Sequence, residues 1–249
     1  IGRYSNLLQS IWHNILSDVT RRLIRLKIGQ SRHRKEIFGQ IVGHQDLKMI
    51  FNSALFCKKP VHVLLVGPPG TAKTMFLSDI RRRCKESYFV VGSNTTKAGF
   101  LNVLFEYRPM FVLIDELEKM NRNDQNCLLH LMKTGIISET KLRKTRQMQL
   151  LSSVFASANS CENISEPLLS RFIILKIPEY TYEEFKQIAV IRLKEEGIDE
   201  KLALMIAQKV WCEFGSKDIR DTLKIGRLAN NIQEAENIIE IMKSHSDRR

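Results

Sequence analysis

The chain has 249 residues, of which 43% are hydrophobic, 27% charged and 8% aromatic, a balance that excludes disordered, collagenous and fibrous classes and suits one large folded unit or two modest ones. Lys and Arg number 39 against 27 Asp and Glu, a formal net charge of +12. The longest apolar runs, such as Val63–Val66 and Phe111–Ile114, fall far short of the ~18 residues that cross a bilayer, so no membrane partner is expected.

Residues 1–40 hold eight basic side chains (Arg3, Arg21, Arg22, Arg25, Lys27, Arg32, Arg34, Lys35) and two acidic ones (Asp18, Glu36), half of the whole excess. A polyanion, nucleic acid first, suits such a segment; solubility or cover for an acidic surface is the plain alternative. Leu7, Leu8, Ile11, Trp12, Ile15, Leu16, Val19, Leu23 and Ile24 recur at helical spacing and predict an amphipathic helix over 4–28, its basic residues gathered near the C-terminal end of the dipole. Residues 30–36 read as a polar connector, so 1–36 is expected to form a unit of its own. These first residues show no short apolar core followed by small residues, and no secretory signal is expected.

From Ile37 to about Ile177 the pattern is strand, turn, helix, repeated. Val61–Val66, Tyr88–Val91, Phe111–Ile114, Ser153–Ala156 and Phe172–Ile177 are short apolar runs separated by helical patterns. This alternation predicts an α/β fold with a five-stranded parallel sheet flanked by helices on both faces. The core is expected over 37–178, with a boundary near Pro178. Beyond it, Thr181 and Glu184 form a capping-box signature, Gly197 marks a helix stop, and Asn231 with Glu234 opens a last helix. Helices are expected from Thr181, over 199–213, over 217–229 and to about Lys243, an all-α lid domain over 179–249. The five cysteines (Cys57, Cys84, Cys127, Cys161, Cys212) are widely spaced, which points to reduced, mostly buried thiols and a cytoplasmic setting.

The strongest motif is Gly67-Pro-Pro-Gly-Thr-Ala-Lys-Thr74, after an apolar strand and before a helical pattern. It nearly fits the phosphate-binding loop G-x-x-x-x-G-K-[ST]. Backbone N–H groups at a helix N-terminus would wrap a phosphate, with the dipole favouring the anion. Gly67, Pro68, Pro69, Gly70, Thr71, Ala72, Lys73, Thr74 and Met75 then form the cradle for ATP. Lys73 reaches the β- and γ-phosphates, and the Thr74 hydroxyl holds Mg²⁺. Ala72 replaces the usual glycine, which costs nothing if that position is already helical. About forty residues on, Phe111-Val-Leu-Ile-Asp-Glu116 ends a strand in two carboxylates. At that strand end Asp115 is suited to the metal, and Glu116 to accepting a proton from the attacking water.

Together these motifs resemble the AAA+ ATPases, and the downstream residues agree in order over about 37–230. Val154–Asn159 is similar to the strand bearing sensor 1, which makes Asn159 a positioner of water. Pro167–Phe172 resembles the arginine-finger segment, so Arg171 would enter a neighbouring subunit's site. Gly215–Arg220 resembles the sensor 2 helix, with Arg220 on the γ-phosphate. Ile41 and Val42 lie in the segment that packs on adenine. A strand-compatible pair of arms around the tip Lys141–Arg146 resembles the hairpin inserted before sensor 1 in RuvB-like, MoxR-like and MCM-like ATPases. Lys141, Arg143, Lys144 and Arg146 on that tip, and Lys97 after the second strand, are candidate contacts to a threaded polymer, and the tip is equally compatible with a solvated turn. Ser93 or Asn94 is a candidate restraint on Glu116. The resemblance implies a homo-oligomeric ring or spiral, a hexamer, in which Mg–ATP hydrolysis moves or remodels a polymer, DNA first. A MoxR-like protein remodeller and a nucleotide-switched module of clamp-loader or origin-recognition type are the alternatives.

Overall fold

The computed structural model describes residues 37–141 and 144–246. The helix expected over 4–28 and the tip residue Arg143 lie outside the described residues.

Five short strands form one parallel sheet: β1 (Val63–Val66), β2 (Ser87–Val91), β3 (Phe111–Asp115), β6 (Ser153–Ala158) and β7 (Ile173–Lys176), in the order β2-β3-β6-β1-β7. Two strands start later than expected. Val61 gives its N–H to Ser153 Oγ (3.2 Å) instead of to a strand neighbour, and Phe172 still turns back onto Leu169 O (3.0 Å). β3 and β6 run on to Asp115 and Ala158, which carries polar groups to the sheet's C-terminal edge.

Alternating side chains of the strands feed two cores. Val63, Leu65, Phe111, Leu113 and Phe155 pack against Phe51 of α1 (Gln45–Phe56) and Phe76, Leu77 and Ile80 of α2 (Lys73–Arg83). Leu64, Val112, Ile114, Val154 and Ala156 pack on the other face, against α3 (Lys97–Tyr107), α4 (Arg122–Thr134) and α5 (Glu166–Leu169). Both faces of the central strands are dry, as a parallel sheet requires. A two-stranded antiparallel hairpin, β4 (Ile136–Lys141) and β5 (Lys144–Gln149), stands between α4 and β6, where the sequence places the inserted hairpin.

The C-terminal bundle holds α6 (Tyr182–Glu195), α7 (Glu200–Lys209), α8 (Ile219–Leu228) and α9 (Ile232–Ser246), around Phe185, Leu193, Ile206, Val210, Ile225 and Ile239. The capping box at Thr181 and Glu184 is present in both directions. Gly197, at φ +84, ends α6 with Ile198 N–H on Leu193 O and Gly197 N–H on Lys194 O, both 3.0 Å. The helix expected over 199–213 is α-helical only to Lys209; Val210–Phe214 widens into a π-helical turn that stops at Gly215 (φ +73). All five cysteines are free, but only Cys84 and Cys127 are buried, and Cys212 is exposed, so fewer thiols are sheltered than expected. Burial pushes the Cys84 thiol up to about 12 and Cys127 to about 11. Among the described residues no helix is long and apolar enough to cross a membrane.

Candidate functional site

Parallel strands leave a crevice beyond their C-terminal ends. Here the loop Gly67–Ala72 leaves β1 and turns into α2. Ala72, 2% exposed, precedes the helix at φ −69, ψ 7 with no side-chain cap. That near-helical backbone has no need of glycine, and the uncapped first turn keeps N–H groups for an anion. Gly70, at φ +79, does need to be glycine. A Cβ there would also sit 2.7 Å from Cγ and Oδ1 of Asp218, brought in by the C-terminal bundle.

Lys73 is 6% exposed, and its ammonium lies back on its own loop, donating to Gly67 O (2.7 Å) and Pro68 O (2.6 Å). Desolvation lowers its pKa, opposed first by Glu118 and then by Asp115. Across the crevice, the Thr74 hydroxyl donates to Asp115 Oδ2 at 2.9 Å, and Ser157 donates to Asp115 Oδ1. Glu116 has left-handed backbone (φ 55, ψ 50), a conformation that strains a residue with a Cβ. Its carboxylate takes a hydrogen bond from Lys119 (2.8 Å), and its N–H donates to Ser157 Oγ (3.3 Å). Ser93 donates to Asn94 (3.4 Å); it is Lys119, and neither of those two, that restrains Glu116. Gly92 opens their 3₁₀ turn and its missing side chain lets it press on the Glu116 carbonyl.

Asn159, one residue beyond β6, gives both its N–H (3.1 Å) and its Nδ2 (2.7 Å) to Glu118 Oε1. From the bundle, Arg220 is clasped by Asp218: Nε lies 3.0 and 2.9 Å from the two carboxylate oxygens and Nη2 lies 2.7 Å from Oδ2. Burial would push the Asp218 carboxyl up, but the Arg220 guanidinium and N–H outweigh it and hold the group below its usual range. Arg192 contacts Met75 Sδ (3.4 Å) and Glu195 (2.8 Å). Tyr180, beside Ala72, has its phenol pushed up to about 12 by burial and then by Glu184. Between the strand ends and the bundle lies a cavity of ≈630 Å³ lined on the core side by Pro69–Thr71, Lys73–Met75, Asp115, Glu116 and Ser157–Asn159, and on the bundle side by Arg192, Ile219, Arg220 and Leu223. That size suits a nucleotide.

A family model, the ATPase family associated with various cellular activities (AAA), matches residues 63–179. Over those residues the chain is similar to the AAA+ ATPases. A second model, the MCM P-loop domain, matches residues 7–106. The DNA replication licensing factor mcm2 of Xenopus laevis is 27% identical over 72% of this chain and 24% of its own length. The Holliday junction branch migration complex subunit RuvB of Anaplasma marginale is 32% identical over 60% of this chain and 48% of its own length. The chain thus spans about a quarter of the first relative and about half of the second. Thermotoga maritima RuvB superposes with a TM-score of 0.59 over 80% of this chain and 69% of that one, at 21% identity, a likeness of fold. ATPase activity is supported at the level of the family.

Ten of the residues singled out by sequence converge on one cavity: Pro69, Gly70, Thr71, Lys73, Thr74, Met75, Asp115, Glu116, Asn159 and Arg220. Ile41 and Val42 do not line it. Ile41 is buried with the core and its carbonyl accepts from Lys48, while Val42 packs on the bundle. Arg171 is exposed, two residues before β7 and hence at the opposite end of the sheet from the crevice. Lys97 is the first residue of α3 and not part of a loop. Arg146 is held by Glu139 (2.8 Å) and Asn102 and lies over the Phe105 ring (4.3 Å), which ties the hairpin to α3. Lys141 and Lys144 form the last pair of the hairpin. Sequence reading missed Glu118, Ser157, Arg192 and Asp218. Two of these left a signal: Glu118 is a third carboxylate in Asp115-Glu-Leu-Glu118, and Asp218 precedes an apolar-periodic helix as an N-cap should.

Proposed function

We propose that this crevice hydrolyses Mg–ATP and that assembled copies of the chain use the energy to move along or remodel DNA, in the manner of a RuvB-like motor. The contact that carries the reading is Thr74 Oγ1 to Asp115 Oδ2 at 2.9 Å. It joins the phosphate loop to the acidic strand end, two motifs 41 residues apart. The donors are a hydroxyl and a carboxylate whose second oxygen is fixed by Ser157, a hard-oxygen set that fits Mg²⁺ held partly through its own waters. Bound there, the ion would neutralise phosphate charge during transfer.

The protein groups divide the remaining tasks. Lys73, resting on loop carbonyls, exchanges them for the β- and γ-phosphates. Glu116 leaves Lys119 and accepts the proton of the in-line water. Asn159 orients that water, and Arg220 leaves Asp218 for the γ-phosphate. Arg171 serves a neighbouring subunit: its place at the far end of the sheet from its own crevice supports action in trans, within a ring or spiral that the resemblance makes a hexamer. Similarity to mcm2 and RuvB, the +12 charge and the lysines on the hairpin support DNA as the polymer. The test is ATP turnover with single-stranded DNA, double-stranded DNA or unfolded protein, each at two salt concentrations. DNA should stimulate turnover, and added salt should weaken the effect through counterion release. Stimulation by unfolded protein with none by DNA would contradict the DNA reading and favour a protein remodeller.

A further inference from the structure

We propose that Glu118 is a positioning residue for hydrolysis, acting through Asn159: it fixes which end of the Asn159 amide faces the crevice. The proposal rests on the reading of Asn159 as the group that orients the attacking water.

Glu118 sits in the 3₁₀ turn Leu117–Lys119 that follows Glu116. The turn is rigidly mounted, with Lys119 N–H on Glu116 O (2.9 Å), Met120 N–H on Leu117 O (3.0 Å) and the Leu117 side chain fully buried. From it, one carboxylate oxygen, Oε1, receives both the backbone N–H and the side-chain Nδ2 of Asn159. Asn159 lines the cavity, whereas Glu118 stands behind it.

An ionised carboxylate only accepts hydrogen bonds. The amide atom against it must therefore be the NH₂ group, at 2.7 Å, which leaves Oδ1 as the free acceptor of the pair. An acceptor is what is needed to hold a proton of the attacking water while its lone pair points at phosphorus. Without Glu118 the amide is free to turn over and offer a donor instead. Two bonds on one oxygen also lock the side chain and its backbone together, so the rotamer is fixed before any ligand arrives.

Stability alone does not account for this arrangement. The other oxygen, Oε2, is buried with no hydrogen-bond partner, and an unsatisfied buried carboxylate oxygen costs stability. A residue that leaves one of its own oxygens unpaired while satisfying a neighbour at the crevice follows the pattern of a support for reactive geometry. Glu118 is also the leading charge that offsets the burial of Lys73, so a purely electrostatic role is the competing explanation, and the test separates the two.

Steady-state ATP turnover and binding of a fluorescent ATP analogue are measured on the full chain for wild type, Glu118→Ala, Glu118→Gln, Asn159→Ala and the double variant Glu118→Ala/Asn159→Ala. Glu118→Ala should lower kcat at least tenfold, within the ~10–100-fold typical of lost supporting contacts, with nucleotide affinity within about threefold of wild type. Glu118→Gln keeps the reach and an acceptor oxygen without the charge, and should keep kcat within about threefold. The double variant should fall less than twofold below Asn159→Ala. If Glu118→Ala does not fold, Glu118→Leu replaces it as an acceptor-free side chain of comparable volume. A smaller loss in the Ala or Leu variant, a tenfold loss in Glu118→Gln, or a full loss on top of Asn159→Ala overturns the proposal. A wild-type chain that binds no nucleotide overturns the functional reading beneath it, a result visible before any variant is made.

Discussion

Asp218 of the C-terminal bundle stands against Gly70 of the phosphate loop, so close that a methyl group on Gly70 would lie 2.7 Å from the carboxylate. The same carboxylate caps α8 through the Arg220 N–H and grips the Arg220 guanidinium. A negative group therefore rests beside the proposed anion site and holds a cation that a bound anion would attract. Asp218→Asn keeps the cap but removes the charge. It should tighten ATP binding about fivefold, the equivalent of about 1 kcal/mol, and the gain should vanish in Arg220→Ala. Titration of a fluorescent ATP analogue measures both; equal affinity in Asp218→Asn and wild type would contradict the expectation.

Gly70→Ala tests the contact from the other side. The substitution adds strain at φ +79 and a collision with Asp218. Together these should lower stability by about 1–3 kcal/mol and weaken nucleotide binding, because the loop or the bundle must yield. Thermal denaturation with and without nucleotide measures the two effects, and an unchanged melting temperature would count against the close approach.

His62 carries a pH signature. Its Nδ1 accepts the Val154 N–H (3.1 Å), and its ring meets Phe172 edge-on at 6.4 Å. Burial, with a further push from the nearby Arg171 cation, lowers its pKa from 6.5 to about 4, while a hydrogen bond to the Met132 backbone opposes the shift. The folded state thus prefers the neutral ring. Its stabilisation is complete above about pH 6.5 and is lost as pH falls from there through about 4, on the order of 2–3 kcal/mol. Denaturant unfolding at pH 7 and pH 4.5 should show a smaller pH effect for His62→Gln than for wild type. Identical pH dependence would refute it.

The assignment of Arg171 to a neighbour's site predicts complementation. Arg171→Ala and Lys73→Ala should each be nearly inactive alone. Mixed, they should regain part of the turnover, since a subunit with an intact Lys73 can meet an intact Arg171 from next door. Turnover measured across mixing ratios, beside sizing of each variant, checks this. A mixture that assembles normally and stays inactive would place Arg171 elsewhere.

The sheet was legible because each strand is a short apolar run closed by turn residues, and a strand buried on both faces needs nothing more. That Lys73, Thr74 and Asp115 line one cavity was legible because the motifs that carry them are local: each needs only its neighbours to be recognised. Glu118, Ser157 and Asp218 were not, because each matters through a partner far along the chain: Asn159 lies 41 residues from Glu118, and Asp115 lies 42 from Ser157. Arg146 misled in the opposite direction. As a cation on a hairpin it suggests a polymer contact, yet Glu139, Asn102 and Phe105 occupy it. Composition gives the charge but not its neighbours.

The most direct measurement is ATP binding and turnover, with and without Mg²⁺, for wild type and Glu116→Gln. Wild type should hydrolyse ATP only with the metal. Glu116→Gln should bind nucleotide within about threefold of wild type and lose turnover by about 10²–10⁴-fold, as expected for a missing general base. A wild-type chain that neither binds nor cleaves ATP, or a Glu116→Gln variant that turns over normally, would contradict the account.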